Sequence, residues 1–221
     1  MRCSLLLTVF STLLASGASV RTITLEDLAR SLPKEPINVV FDVDDTVLFT
    51  SPGFQWGSRT YGSQIVSAGV SVREEDLPTE TARAQYREFW TKMNNELDEY
   101  SVKKWIATEL IALHRSRGDR IYFVTKRIFT GHERLTEILR REFQLPADSP
   151  AVIFTNREAK TKAFVSVKAQ VSYGDSDGDI RDSIQAGARP IRVLRSPASV
   201  NHEPAHNGQF GEEVLLNSEN D

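Results

Sequence analysis

Short apolar runs alternate with amphipathic stretches along the chain. Ile37-Asn38-Val39-Val40-Phe41 has the β-branched, apolar profile of a strand buried on both faces, and it ends directly in acid, Asp42-Val43-Asp44-Asp45-Thr46. The pattern recurs: 121–124 ends in Thr125, 151–154 in Thr155, 171–173 in Gly174-Asp175, and 190–194 follows Gly187. Between the runs lie helical patterns. Segment 22–32 reads as a short helix with Thr24 as its cap and Leu25, Leu28 and Leu32 on one face. Val102, Trp105, Ile106, Leu110 and Leu113 recur at helical spacing, as do Leu135, Ile138 and Leu139 within 133–143, and 177–186 is a short helix stopped by Gly187. Strands alternating with helices predict a doubly wound α/β fold with a mostly parallel sheet.

Residues 50–100 break this rhythm, being too long for a plain crossover. They read as a small, largely helical insertion after the first strand, beside the strand ends where open α/β sheets bind ligands. Phe89 and Trp90 suit a small core, and the charged run 71–88 suits a solvated helix face. Phe54 and Trp56, flanked by Gly53 and Gly57 on what reads as a loop, are candidates for a pocket wall, with Tyr100 as a further stacking surface.

The first 18 residues have the layout of a cleaved secretory leader: Arg2, an apolar run at 5–14, and small residues Ser16 and Ala18 at the −3 and −1 positions. The run is too short to span a membrane, which takes ~20 residues. Residues 19–221 then form a single domain. Cys3, the one cysteine, leaves with the leader, which excludes an intramolecular disulfide framework and a cysteine-based zinc cluster. The composition is ordinary for a globular protein, with 30 acidic against 27 basic residues in the whole chain and one basic residue fewer once Arg2 leaves with the leader, which argues against a nucleic-acid polymer as partner.

Asp42 and Asp44, two apart at a strand end, start on the same side of the sheet. Paired carboxylates repel unless a cation or a shared proton relieves them, and a hard divalent ion suits oxygen ligands. The segment 173–179, Tyr-Gly-Asp-Ser-Asp-Gly-Asp, brings further carboxylates to another strand end. It is not a calcium loop: the closing glutamate is missing, with Ser183 and Ile184 where it would fall. His114, His132, His202 and His206 read as surface histidines. No Gly-x-Ser-x-Gly elbow or Walker lysine loop occurs.

Asp-x-Asp-x-Thr at 42–46, Thr125, an isolated lysine, and Gly174-Asp175-x-x-x-Asp179 together resemble the four motifs of the haloacid-dehalogenase-like phosphatases. The wording of 41–54, 89–95, 173–180 and 208–214 is similar to the bacterial class B non-specific acid phosphatases across nearly all of the chain after the leader. The resemblance implies a periplasmic acid phosphatase acting on small phosphomonoesters, such as nucleotides and aryl phosphates, with phosphotransfer to other alcohols as a second activity. It further implies Asp42 as nucleophile, Asp44 as acid then base, and one Mg²⁺ held by Asp42, the Asp44 backbone carbonyl and Asp175. Thr125 and Lys162 would hold the phosphoryl oxygens, with Lys126, Arg127, Phe54 and Trp56 lining the substrate site. Asp179 would orient Lys162 or a metal-bound water. Lys162 is preferred to Lys160 because Thr161-Lys162 matches the family's Thr-Lys.

Two departures stand out. Lys126 replaces the family's glycine after Thr125, which leaves three readings: turned outward, adding charge to the pocket, or impairing it. The N-terminal arm is short, which weakens the homotetramer the family implies. A non-catalytic phosphate-binding relative and a class C-like phosphatase are the alternatives.

Overall fold

The computed structural model describes residues 20–69 and 72–220, so the expected leader at 1–18 lies outside the described residues. The first element is a strand, β1 (Arg21–Ile23), followed by α1 (Leu25–Ser31), in which Thr24 and Asp27 form a capping box. The helix therefore starts later than 22, because Thr22 and Ile23 pair with Val214 and Leu215 instead. Next come β2 (Asn38–Phe41), the two-residue β3 (Leu48–Phe49), α2 (Ser51–Tyr61) and α3 (Glu80–Asn95). Then follow β4 (Val102–Lys103), α4 (Trp105–Ser116), β5 (Arg120–Thr125), α5 (Leu135–Glu142) and β6 (Ile153–Phe154). The chain continues through α6 (Thr161–Ser166), β7 (Val171–Gly174), α7 (Asp177–Ala186), β8 (Arg189–Val193) and β9 (Glu213–Leu215).

Seven strands form one parallel sheet in the order β1-β9-β8-β7-β2-β5-β6, while β3 and β4 pair as a separate antiparallel ribbon. Strand alternation sorts the core onto both faces. Val39, Phe41, Ile121 and Phe123 pack with Leu28, Ile106, Leu110, Leu135 and Leu139 of α1, α4 and α5. Val40, Tyr122 and Val124 face the other way, against Ala163 and Phe164 of α6. Gly187 ends α7 in the left-handed conformation, at φ 75°. No helix among the described residues is long and apolar enough to cross a membrane.

The stretch after β3 builds its own aromatic core from Phe54, Val66, Tyr86, Phe89, Trp90 and Met93. Here the expected loop at 53–57 is the middle of α2. Gly53 and Gly57 serve close helix packing rather than a turn: a Cβ at Gly53 would lie 2.8 Å from Met93 Sδ, and one at Gly57 2.4 Å from the Phe89 ring. The helix also separates two residues expected to act together. Positions 54 and 56 lie ~200° apart around a helix at 3.6 residues per turn. Phe54 therefore turns inward against Phe89 and Trp90, while Trp56 faces outward against Tyr61.

Strand order places the site. Chain connections leave β2 in one direction toward β5 and β6, and return on its other side through β7, β8 and β9. The carboxyl ends of β2, β5 and β7 meet at this switch point, where open α/β sheets leave a crevice.

Candidate active site

Register brings the predicted chemistry together. Phe41 pairs with Phe123 and with Tyr173, so Asp42 just past β2, Thr125 at the last residue of β5 and Asp175 just past β7 lie side by side at the strand ends. Asp42 continues the ladder through its N–H to the Tyr173 carbonyl, 2.9 Å. The chain then turns sharply, with Asp45 in the left-handed region at φ 60° and its N–H on the Leu48 carbonyl.

Two sides of the Asp42 carboxylate meet different neighbours. Oδ1 accepts from the Lys160 ammonium, which also donates to Asp179 Oδ1 at 2.7 Å. Oδ2 accepts from the Thr46 hydroxyl, which lies 3.3 Å from both Asp42 Oδ2 and Asp175 Oδ1. Asp179 is fixed in turn by Ser176, whose N–H and hydroxyl both donate to Asp179 Oδ2 in the capping box of α7. Arg195 donates to Asp175 through Nε at 2.7 Å.

Asp44 belongs to a separate charge group. Arg127, fully buried, grips Asp44 through Nε and Nη2 at 3.0 and 2.9 Å and Asp98 through Nη1 and Nη2 at 2.6 and 2.9 Å. Thr125 Oγ1 lies 3.4 Å from the same Asp44 carboxylate. Arg127, expected to touch substrate, is thus committed to two carboxylates and holds Asp44 in place.

Electrostatics differ between the two groups. Burial pushes the Asp42 carboxyl well above the usual range; Lys160 pulls it down, and Asp179, Asp175 and Asp44 push it further up. Asp175 is pushed up to about 6 by burial, against the pull of Arg195. For Asp44 burial also raises, but the Arg127 guanidinium outweighs it and holds the carboxyl below its ordinary value. Asp98, sharing the same cation, stays raised by its burial. Lys160 keeps its proton despite burial because Asp179 and Asp42 flank it.

Asp42, Asp175 and Asp179 each offer a buried carboxylate oxygen within 4.8 Å of the others. That spacing is near twice the ~2.1 Å bond of a small hard cation, and an all-oxygen set suits such an ion. The donor set fits a divalent metal.

The lysine at the site is Lys160, not the expected Lys162. Lys162 is exposed and does not reach the site, whereas Lys160 is buried there. The reason is local. Asp182 of α7 accepts from the Lys160 N–H and the Thr161 hydroxyl, at 2.8 and 2.7 Å, and so fixes where α6 begins. From that start Lys160 points to the strand ends and Lys162, two positions on, points away. Trp56 and Tyr100 stand outside the pocket, while Phe54 lines it beside Trp90. Lys126 is not turned outward: its side chain is mostly buried, lies over Gly178 and sits 3.8 Å from Glu203. His114 is a buried residue, not a surface one, with Nδ1 2.6 Å from Asp119 and Nε2 2.8 Å from the Tyr173 hydroxyl.

The site also holds Asp98, Arg195, Asp182, Glu203 and Arg157, none of them among the residues expected from the sequence. Arg195 follows the apolar run 190–194, so the rule that found Asp42 and Asp175 reaches it too. Asp98 and Arg157 carry no comparable signal in the chain.

Residues 16–203 match the family model of the HAD superfamily, subfamily IIIB (Acid phosphatase). Class B acid phosphatases of Enterobacter sp. (strain 638) and Rahnella sp. (strain Y9602) are 39% and 41% identical to this chain. Those alignments cover 94% and 93% of this chain and 84% and 83% of the relatives. In fold alone, the chain is similar to a predicted phosphoglycolate phosphatase from Haemophilus somnus 129PT (TM-score 0.61, 13% identity, 84% of this chain and 95% of that one). A second neighbour in fold is a HAD family hydrolase from Deinococcus radiodurans R1 (TM-score 0.51, 16% identity, 83% and 92%). The chain belongs to the subfamily IIIB acid phosphatases of the HAD superfamily, and it is a phosphatase that hydrolyses phosphomonoesters.

Proposed function

We propose that hydrolysis runs through a phosphorylated Asp42. A carboxylate oxygen of Asp42 attacks phosphorus, the bond from phosphorus to the ester oxygen breaks, and the departing alcohol takes a proton from Asp44. Water then attacks the aspartyl-phosphate, gives its proton to Asp44, and releases phosphate with Asp42 restored. The observation that carries this reading is the division of labour between the two carboxylates: Asp42 faces Lys160 and the acidic cluster, while Arg127 holds Asp44 beside it. Arg127 favours the ionised form of Asp44, which is the form that accepts the proton from water; donation to the alcohol needs the protonated form, which an acidic medium supplies.

Lys160 and Thr125 would meet the phosphoryl oxygens, the charge that must be matched in the transition state. Mg²⁺ would be held by Asp42, Asp175 and the Asp44 backbone carbonyl, and when bound it would neutralise charge on the phosphoryl group. Asp179 then serves to keep Lys160 charged and aimed. Nucleotides and aryl phosphates are the proposed substrates, because Phe54 and Trp90 offer an apolar wall beside the carboxylates. Phosphotransfer to alcohols would use the same intermediate.

Export to the periplasm with cleavage after Ala18 rests on the leader pattern, and N-terminal sequencing of the protein from a periplasmic extract checks it: Ser19 should come first. A homotetramer rests on family likeness, and sedimentation checks it. For the activity itself, p-nitrophenyl phosphate should be hydrolysed, the rate should fall with EDTA and return with Mg²⁺, and Asp42→Asn should abolish it. Retained turnover by Asp42→Asn would rule the nucleophile out.

A further inference from the structure

Four cations line the pocket: Lys126, Arg127, Arg157 and Lys160. Three have carboxylates within ion-pair distance. Lys160 has Asp42 and Asp179, Arg127 has Asp44 and Asp98, and Lys126 has Glu203. Arg157 has none among the described residues. Its guanidinium lies over the Trp90 ring, 4.6 Å from the centroid, and its Nε is buried without a hydrogen-bond partner.

The backbone that presents Arg157 is unusual. Asn156 and Arg157 are consecutive non-glycine residues in the left-handed region, at φ 52° and 69°. Such a backbone is costly for a residue with a Cβ and persists only where its surroundings hold it. Here the segment is tied to the loop after β5: Thr155, Asn156 and Arg157 donate their N–H groups to the carbonyls of Thr125, Arg127 and Lys126. Asn156 Oδ1 also accepts from Phe129 N–H, at 2.7 Å. The result is a cation carried beside Phe54 and Trp90, the apolar wall, rather than on the cluster around Asp42.

An arginine stacked on tryptophan keeps its edge free for a planar anion, and in a partly buried pocket a charge without a counter-charge favours an anionic ligand. The phosphoryl group is met by Lys160 and Thr125 in the reading above, so the ligand of Arg157 belongs to the rest of the substrate. We propose that Arg157 forms a second anion-binding subsite on the leaving-group side, selecting phosphomonoesters whose alcohol part carries a carboxylate or a second phosphate. This rests on the phosphomonoesterase reading and extends it to a substrate class.

The test compares 3- and 4-carboxyphenyl phosphate with their neutral 3- and 4-carbamoylphenyl counterparts, which match them in size and differ in charge. For the wild type, kcat/KM for at least one carboxylate should exceed that of its amide by about tenfold, the scale of a hydrogen bond to a charged group. Arg157→Leu keeps an apolar side chain against Trp90 and should bring that ratio close to one; Arg157→Lys should retain part of it, and salt should erode it. A wild-type ratio at or below one for both pairs, or a ratio unchanged in Arg157→Leu, overturns the subsite while leaving the phosphatase intact. Failure to hydrolyse any of the four esters would overturn the underlying reading as well.

Discussion

Two buried polar groups share the same strands, one where α4 packs against β7 and one at the strand ends, and they are built differently. Around His114, donors and acceptors are matched. Asp119 accepts from His114, from Arg117 Nε and from the Ile37 N–H, and the Tyr173 hydroxyl donates to the other ring nitrogen of His114. At the ends of β2 and β7, Asp42, Asp175 and Asp179 converge with Lys160 and Arg195 as counter-charges, and burial leaves Asp42 and Asp175 raised. The first group is complete without a ligand. The second carries carboxylates that a metal ion and a phosphoryl group would complete, so stability should depend on the first and activity on the second.

The largest expected effect lies at the strand ends. Asp42→Asn should lower kcat by roughly 10⁴-fold or more, the scale of losing a nucleophile. Its melting temperature should hold or rise, since one of three converging carboxylates loses its charge. A large fall in melting temperature would break the contrast. Lys160→Met should lower kcat roughly 10²–10³-fold, as when one transition-state donor is removed, with Lys162→Met near wild type. The reverse ranking would return the role to Lys162.

Arg127 tests where the two behaviours meet. Arg127→Met leaves Asp44 and Asp98 buried without their cation, so denaturant unfolding should show a loss of about 3–5 kcal/mol. The same change removes what lowers Asp44, so the limb of the pH–rate profile belonging to Asp44 should move to higher pH. A limb that stays in place would detach Asp44 from that limb.

On the structural side, His114→Leu strands Asp119 and the Tyr173 hydroxyl and should cost about 1–3 kcal/mol while sparing kcat at low temperature. Burial lowers the His114 pKa, against the pull of Asp119, so the folded state binds this proton less readily than the unfolded chain. Its contribution is therefore complete above the unfolded value of ~6.5 and fades as pH falls toward the lower folded value. Denaturation midpoints measured between pH 8 and 5 should show this acid loss in the wild type and less of it in His114→Leu.

What was readable in the chain follows the range over which each signal acts. Runs such as 37–41 and 171–173 declare buried strands by themselves, and polar residues at their ends marked Asp42, Thr125 and Asp175. Gly53 and Gly57 misled because glycine signals a turn locally, while here it allows α2 to approach Met93 and Phe89 of α3. Lys160 and Lys162 are equivalent in local pattern, and only Asp182, on another helix, decides which one faces the site. Asp98 reaches Arg127 from the far end of the helical stretch, and His114 finds Tyr173 across the sheet; neither pairing has a local sign.

Trapping the intermediate tests the central claim most directly. Enzyme mixed with ³²P-labelled phosphomonoester and quenched in acid within milliseconds should carry acid-stable, alkali-labile label on the peptide containing Asp42, and none in Asp42→Asn. Label on another residue, or equal label in Asp42→Asn, would contradict it.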